Sequence, residues 1–322
     1  MLVEFRVKNF RNFQEELVLN LNHVESYDFS YDAIKDQIIK TCLIYGKNGS
    51  GKSNLGLALQ DLTHHLTDDK YKVKSYNNHF NFQTNNVSTF LYQFKFGTSS
   101  LIYKYTKELP KRLLKEELYI NDTKVIFYDH LTHECFVTLE GAERLNKDLK
   151  GKQISFVKYL CRNTILSETI NSYLLKKFIN FVEKMKIVSS FSLSCNFEEE
   201  SHEIEKKIID SGKLKGLERF MKNVGVEYSL FEREIDGESF IYCDLDGKSV
   251  NFFRIASSGT YSLVLLYYQL MELPNLSLIF IDQFDTFLEN KLAELVIKKI
   301  SKSNTQAILT THNTSLIDNN IL

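Results

Sequence analysis

Only two prolines, Pro110 and Pro274, occur in 322 residues, and no Gly/Ser-rich tract interrupts the chain. No flexible linker, low-complexity segment or internal repeat is visible, so parts must be told apart by changes in hydrophobic pattern. Cysteine is sparse too: Cys42, Cys135, Cys161, Cys195 and Cys243 are odd in number, far apart and without a CxxC pair. Neither a disulfide framework nor a zinc site is suggested, and buried free thiols are expected. The longest apolar runs, such as Leu276-Ser277-Leu278-Ile279-Phe280-Ile281, fall far short of the roughly 20 residues that cross a bilayer. The start, Met1-Leu2-Val3-Glu4-Phe5, lacks a signal-peptide core, so a cytoplasmic location without membrane contact is expected. Neither charge sign is in excess. Forty basic against 41 acidic side chains leave −1, and no global basic field announces a nucleic-acid partner; local patches stay open.

What is present is apolar bulk: 43% of residues are hydrophobic, enough for the core of one large or two intertwined domains. Residues 1–87 read as short strands up to Thr41-Cys42-Leu43-Ile44-Tyr45, then a glycine loop and a helix. The apolar positions Leu55, Ala58, Leu59, Leu62 and Leu66 share one face at a 3.6-residue repeat, which predicts packing on a sheet. Residues 88–141 turn to period-two patterns, Phe90-Leu91-Tyr92-Gln93-Phe94 and Leu101-Ile102-Tyr103-Lys104-Tyr105 among them, as an antiparallel meander would. Residues 142–225 read as helical, with Tyr173-Leu174-Leu175, Phe178, Phe181-Val182 and Met185 as the apolar stripe and no heptad repeat for a coiled-coil arm. In 226–322, Asp236-Gly237 and Asp246-Gly247 signal hairpin turns before strand and helix alternate again.

The segment Gly46-Lys47-Asn48-Gly49-Ser50-Gly51-Lys52-Ser53 satisfies G-x-x-x-x-G-K-[S/T] in full. A chance match in a chain this long occurs about once in a hundred sequences, and an apolar strand before with an amphipathic helix after lowers the odds further. Such a loop turns backbone N–H groups and a helix N-terminus toward phosphates; Lys52 would neutralise the β- and γ-phosphates of ATP and Ser53 would hold Mg²⁺. The apolar strand ending at Asp282 fits a Walker B strand, placing a second oxygen ligand near the metal.

Two further segments, Ala256-Ser257-Ser258-Gly259-Thr260 and Thr310-Thr311-His312-Asn313, resemble the signature loop and switch histidine of ABC-type ATPases, in the right order. The opening Phe5-Arg6-Val7-Lys8-Asn9-Phe10-Arg11-Asn12-Phe13 is similar to the N-terminal motif of SMC, RecF and OLD-like ATPases. The chain thus resembles bacterial ABC-type AAA ATPases, including ATPase subunits of phage-defence systems such as PtuA of Septu and AriA of PARIS. The resemblance implies an α/β P-loop fold, an ABC-type head with an antiparallel β subdomain and a helical insertion. It also implies head-to-tail dimerisation, with Ser257 and Gly259 reaching the ATP of the other subunit, His312 sensing its γ-phosphate, and Arg11, Asn12 and Asn54 at the nucleotide. Gln93 falls where such ATPases carry a metal-side glutamine, though a cross-strand or solvent-facing role competes. The histidines His64, His65, His79, His130 and His133 show no ligand spacing, and no metal beyond Mg²⁺ is expected.

Departures from that pattern bear on mechanism. Gln283 follows Asp282 where the resemblance implies a glutamate. An amide orients water but cannot take its proton, a loss of about 10²–10⁴ in rate. A slow natural switch and a deliberate Glu-to-Gln substitution that traps bound ATP both explain it, with Asp285 a weaker substitute base. Phe287-Leu288-Glu289-Asn290 departs from the usual D-loop, and the chain stops at Leu322, earlier than the resemblance leads one to expect. The function expected is an ATP-hydrolysing switch that dimerises on ATP and controls a separate effector, a nuclease, in phage defence. An SMC- or RecF-like ATPase acting on DNA is the alternative; a transporter subunit and a non-hydrolysing ATP-binding scaffold are weaker readings.

Overall fold

In the computed structural model the described residues are 1–22, 31–67, 87–109, 112–188, 197–286 and 288–318. Pro110, His79, Cys195, Phe287 and Leu322 lie outside them.

The period-two segments form one antiparallel sheet. β1 (Leu2–Lys8), β2 (Leu17–Asn20), β6 (Ser88–Phe96), β7 (Ser99–Leu109), β8 (Arg112–Ile120), β9 (Thr123–Asp129) and β10 (Cys135–Val137) lie in the order β10-β9-β8-β7-β6-β1-β2. Alternation turns Phe90, Tyr92 and Phe94 of β6 and Leu101, Tyr103 and Tyr105 of β7 to one buried face. That face receives α1 (Lys52–Leu66) and α3 (Ile170–Glu183): Tyr92 donates its hydroxyl to the Ala58 carbonyl at 2.8 Å, and Phe178 lies 5.2 Å from Phe94, ring to ring. α2 (Phe156–Asn163), capped by the Ser155 side chain, seals the sheet beside Tyr128.

A second sheet is wholly parallel, β11-β15-β16-β5, from β11 (Met185–Val188), β15 (Leu278–Ile281), β16 (Gln306–Thr311) and β5 (Thr41–Tyr45). Every residue of β15 and β16 is buried, as expected of strands covered on both sides. Leu278, Phe280 and Ile308 face the core shared with α1, while Ile279, Ile281 and Leu309 face α7 (Ser258–Glu272) and α8 (Asn290–Ser301). α1 lies against β15 closely enough that a Cβ on Gly56 would come within 2.5 Å of Phe280 Cε1. The Gln306 side chain joins the two sheets, exchanging hydrogen bonds with the N–H and carbonyl of Leu2 at 2.9 and 2.8 Å.

The third layer is the small sheet β12 (Ser229–Ile235), β13 (Glu238–Leu245) and β14 (Lys248–Asn251). Its two turns use Asp236-Gly237 and Asp246-Gly247 with positive φ at all four residues, 54°, 83°, 51° and 79°. It packs with α4 (Phe197–Asp210), α5 (Leu214–Lys222) and α6 (Phe252–Ile255) on the far side of α7, which is apolar nearly all round because it is buried between two cores. A short hairpin, β3 (Ile34–Lys35) with β4 (Ile38–Ile39), precedes β5, and α9 (Ser315–Asp318) follows β16.

This is the α/β fold of a P-loop NTPase, an ABC-type head with an antiparallel β subdomain and a helical insertion. Two details differ from the pattern reading. Residues 1–87 do not stay together, because β1 registers with β6 in the antiparallel sheet while β5 joins the parallel one. The region 142–225 is not helical throughout: Met185, read as the end of a helical stripe, begins β11 beside β15. Tyr173 is 55% exposed, with Lys177 Nζ 4.6 Å from its ring centre, since the buried face of α3 is set by Leu174, Leu175, Phe178, Phe181 and Val182.

Candidate nucleotide site

β5 ends at Tyr45 and α1 begins at Lys52; the six residues between them turn on Gly49 and Gly51, whose φ values of 78° and 102° are costly for any residue with a Cβ. A Cβ on Gly46 would meet Ser50 Oγ at 2.7 Å, so the exposed serine side chain would have to turn aside. Gly51 is needed for its φ and for space, because a Cβ would also strike Asn12 Nδ2 at 2.5 Å and Phe13 Cε1 at 2.9 Å. Lys47, Asn48, Gly49 and Ser50 are exposed, whereas Lys52 is buried.

Lys52 Nζ donates to the carbonyls of Gly46 at 2.6 Å and Lys47 at 3.0 Å and lies 3.2 Å from His312 Nδ1. Burial lowers its pKa from the usual lysine value, opposed by the Asp282 charge. His312 Nδ1 is 2.8 Å from the Gly46 carbonyl, which can only accept, so Nδ1 carries the proton there. Nε2 is then the acceptor for the Gln283 amide, 3.0 Å away. The switch histidine thus bridges the glycine loop and the residue after Asp282.

Ser53 donates its hydroxyl to Asp282 Oδ2 at 2.6 Å. Two hard oxygen donors this close suit one small cation, and the loop above them suits phosphates, so the residues present fit Mg·ATP. Asp282 Oδ1 accepts from Thr310 Oγ1 at 2.7 Å. The turn from β1 places Arg11 and Asn12 above the start of α1: Arg11 Nη1 donates to Asn54 Oδ1 at 3.3 Å, and Asn54 Nδ2 donates to Asn12 Oδ1 at 2.6 Å.

Other expected residues fall elsewhere. Gln93 lies in mid-strand, paired with Glu4 and Ile102, and strand alternation turns it away from the face where Tyr92 meets α1. It is therefore not among the groups at Ser53 and Asp282, a correction to its expected metal role. Ser257 and Gly259 start α7, where the Ser257 hydroxyl accepts from Thr260 N at 3.1 Å. Asp285 Oδ2 accepts from Thr311 Oγ1 at 2.6 Å and so is held by the switch strand.

The structure also shows contacts that the sequence reading did not assign. Thr310 and Thr311 bond the Walker B turn, and Asn290 Oδ1 accepts from Asn313 Nδ2 at 2.6 Å. The segment Thr310-Thr311-His312-Asn313 already named both threonines, but nothing along the chain showed that they bond Asp282 and Asp285. Among the expected non-ligand histidines, His65 lies 3.1 Å from the Tyr103 hydroxyl, and His130 lies 2.8 Å from Glu116.

Residues 163–318 match the family model described as AAA domain, putative AbiEii toxin, Type IV TA system. Among characterised protein sequences none matches significantly. Among solved structures, an SMC head bound to the C-terminal winged-helix domain of ScpA is similar at a TM-score of 0.54 and 14% identity, over 99% of this chain and 92% of that one. The SMC head domain from Thermotoga maritima follows at 0.45 and 15%, covering 98% and 91% of the respective chains. ATP-bound RecF, a recombination mediator, stands at 0.41 and 14%, with coverage of 98% and 94%. The first of these supports the head fold derived above.

Proposed function

We propose that this chain, an ABC-type P-loop head by its fold, binds Mg·ATP at residues 46–53 and uses ATP to bring two copies together. Ser257 and Gly259 of one copy complete the site of the other. The observation that carries this reading is a split site. Lys52, Ser53, Asp282, Gln283 and His312 lie within hydrogen-bond distance of one another or of the glycine loop, whereas among the described residues Ser257 and Gly259 make no hydrogen bond to that group. Gly259 points the same way. A Cβ there would meet only Ser257 Oγ, at 3.8 Å, so the fold has no steric need of glycine. Glycine at this helix start would leave its N–H groups open to a phosphate from a second copy.

Within the site, Lys52 would exchange its loop carbonyls for phosphate oxygens, and Ser53 with Asp282 would hold Mg²⁺, which would supply charge neutralisation at the phosphates. His312 and Gln283 stand side by side, 3.0 Å apart, beside the glycine loop and would face the attacking water. The Gln283 amide can orient that water but not deprotonate it, so binding and assembly outpace hydrolysis.

At the level of the cell, the reading is a sensor ATPase of an anti-phage system that controls a separate effector nuclease. Its support is the resemblance of the four-motif set to phage-defence ATPases, together with a family description that names a putative toxin of a type IV toxin–antitoxin system. A second reading, an SMC- or RecF-like ATPase acting on DNA, is supported by the head fold shared with the SMC structure. DNA affinity that rises with ATP and falls steeply with salt, in the absence of any partner protein, would favour it. Multi-angle light scattering tests the core of the proposal. Mg·ATP should double the mass, and Ser257→Arg should abolish the increase; a mass indifferent to nucleotide sinks the switch.

A further inference from the structure

We propose that Thr310 is a positioning residue for hydrolysis, acting through Asp282 and residue 283; this rests on the ATPase reading above. Thr310 is fully buried on β16, two residues before His312. Its hydroxyl has one proton to give, and gives it to Asp282 Oδ1 at 2.7 Å; one of its lone pairs accepts the backbone N–H of Gln283 at 2.8 Å. A single side-chain atom therefore fixes both the carboxylate that holds the metal and the backbone that carries the water-orienting side chain.

Residue 283 needs such a holder. Its φ is 50°, a left-handed conformation unfavourable for a side chain with a Cβ and tolerated where surrounding bonds impose it. Asp282 N bonding the Val188 carbonyl at 2.8 Å and Phe284 N bonding the Thr310 carbonyl at 3.2 Å secure the residues on either side. The Gln283 N–H itself is held by the Thr310 hydroxyl. Without that acceptor, the backbone relaxes and the 283 side chain leaves His312. Asp282 Oδ2 keeps its bond from Ser53 while Oδ1 loses the Thr310 hydroxyl that orients it. Thr311, pointing the other way along the strand, bonds Asp285 and accepts Asn313 N–H at 2.9 Å, which anchors the turn at His312. The two hydroxyls thus divide the work: Thr310 sets the Walker B turn, and Thr311 sets the switch turn.

The test is Thr310→Val, nearly the same shape without the hydroxyl, beside Thr310→Ser, each in the Gln283→Glu background and in the unsubstituted chain. With a fluorescent ATP analogue, metal-free affinity should stay within about twofold for Thr310→Val. The Mg²⁺ concentration needed for the metal-dependent gain should rise about tenfold, and kcat should fall about 10- to 100-fold at similar KM, the size expected when a hydrogen bond to a charged group is lost. Thr310→Ser should recover most of both. Thermal unfolding confirms that the compared variants are folded. Unchanged kcat and Mg²⁺ dependence in Thr310→Val, or a serine variant no better than valine, overturns the proposal while leaving the ATPase reading intact. Failure of the unsubstituted chain to bind nucleotide overturns both.

Discussion

Residue 283 decides what the proposed nucleotide site could do. Its amide faces His312 Nε2 at 3.0 Å, while His312 Nδ1 faces the Gly46 carbonyl at 2.8 Å. A carboxylate at 283 accepts rather than donates, so it would pair with a histidine protonated on Nε2 and could also take a proton from water. Gln283→Glu should therefore raise single-turnover ATP hydrolysis by roughly 10²–10⁴-fold while nucleotide affinity changes little. Phosphate release measured for both forms decides between a site that is chemically complete but for one atom and a scaffold that never hydrolyses. Equal negligible rates would support the scaffold.

Among the elements, the contact that governs the site is α1 on β15, since one carries Lys52 and Ser53 and the other leads to Asp282. Gly56 lets them approach: a Cβ would stand 2.5 Å from Phe280 Cε1 and 2.9 Å from Cδ1. Alanine favours a helix over glycine by about 1 kcal/mol, but overpacking a close-fitted core costs about 1–3 kcal/mol, and Phe280 is itself only 1% exposed with little room to turn. Gly56→Ala should lower stability by up to about 2 kcal/mol in urea unfolding on that balance. Combined with Phe280→Leu it should be less damaging than the sum of the two changes; strict additivity would mean that the two side chains do not meet. The same element pair shows why local pattern was not enough, because the spacing of Leu55, Leu59 and Leu62 reveals an apolar face but not which strand it meets.

Across the whole molecule, α1 is tied to the antiparallel sheet by a buried polar chain. Asp61 accepts from the Tyr105 hydroxyl at 2.7 Å and pairs with Lys107 at 2.7 Å. His65 lies 3.1 Å from the Tyr103 hydroxyl, which donates to Glu116 at 2.6 Å, and Glu116 also binds Ser155 and the Phe156 N–H at the start of α2. Burial alone would raise both acidic pKa values, yet Lys107 and His65 pull Asp61, and His130, Ser155 and Tyr103 pull Glu116, below the usual carboxylate range. A lowered folded-state pKa contributes stability that is present above the unfolded value, near 4, and lost as pH falls through the folded one. Acid unfolding followed by circular dichroism should thus steepen below about pH 4. In Glu116→Gln it should begin from a lower stability and depend less on pH; an unaltered pH slope would deny Glu116 that part. The glycine loop could be read along the chain because it depends on residue types at short, fixed spacing: glycines for positive φ, a lysine for phosphate charge, a hydroxyl for the metal; the segments at Ser257 and His312 were reached only through a resemblance. The hairpin turns and the helix after the loop were legible for the same reason. What the sequence could not determine was the company those motifs keep. Gln93 was placed by strand alternation on the wrong face, β11 entered the sheet from a segment with a helical pattern, and Thr310 met Asp282 across 28 residues of chain, because burial and register act through space while pattern acts along the sequence.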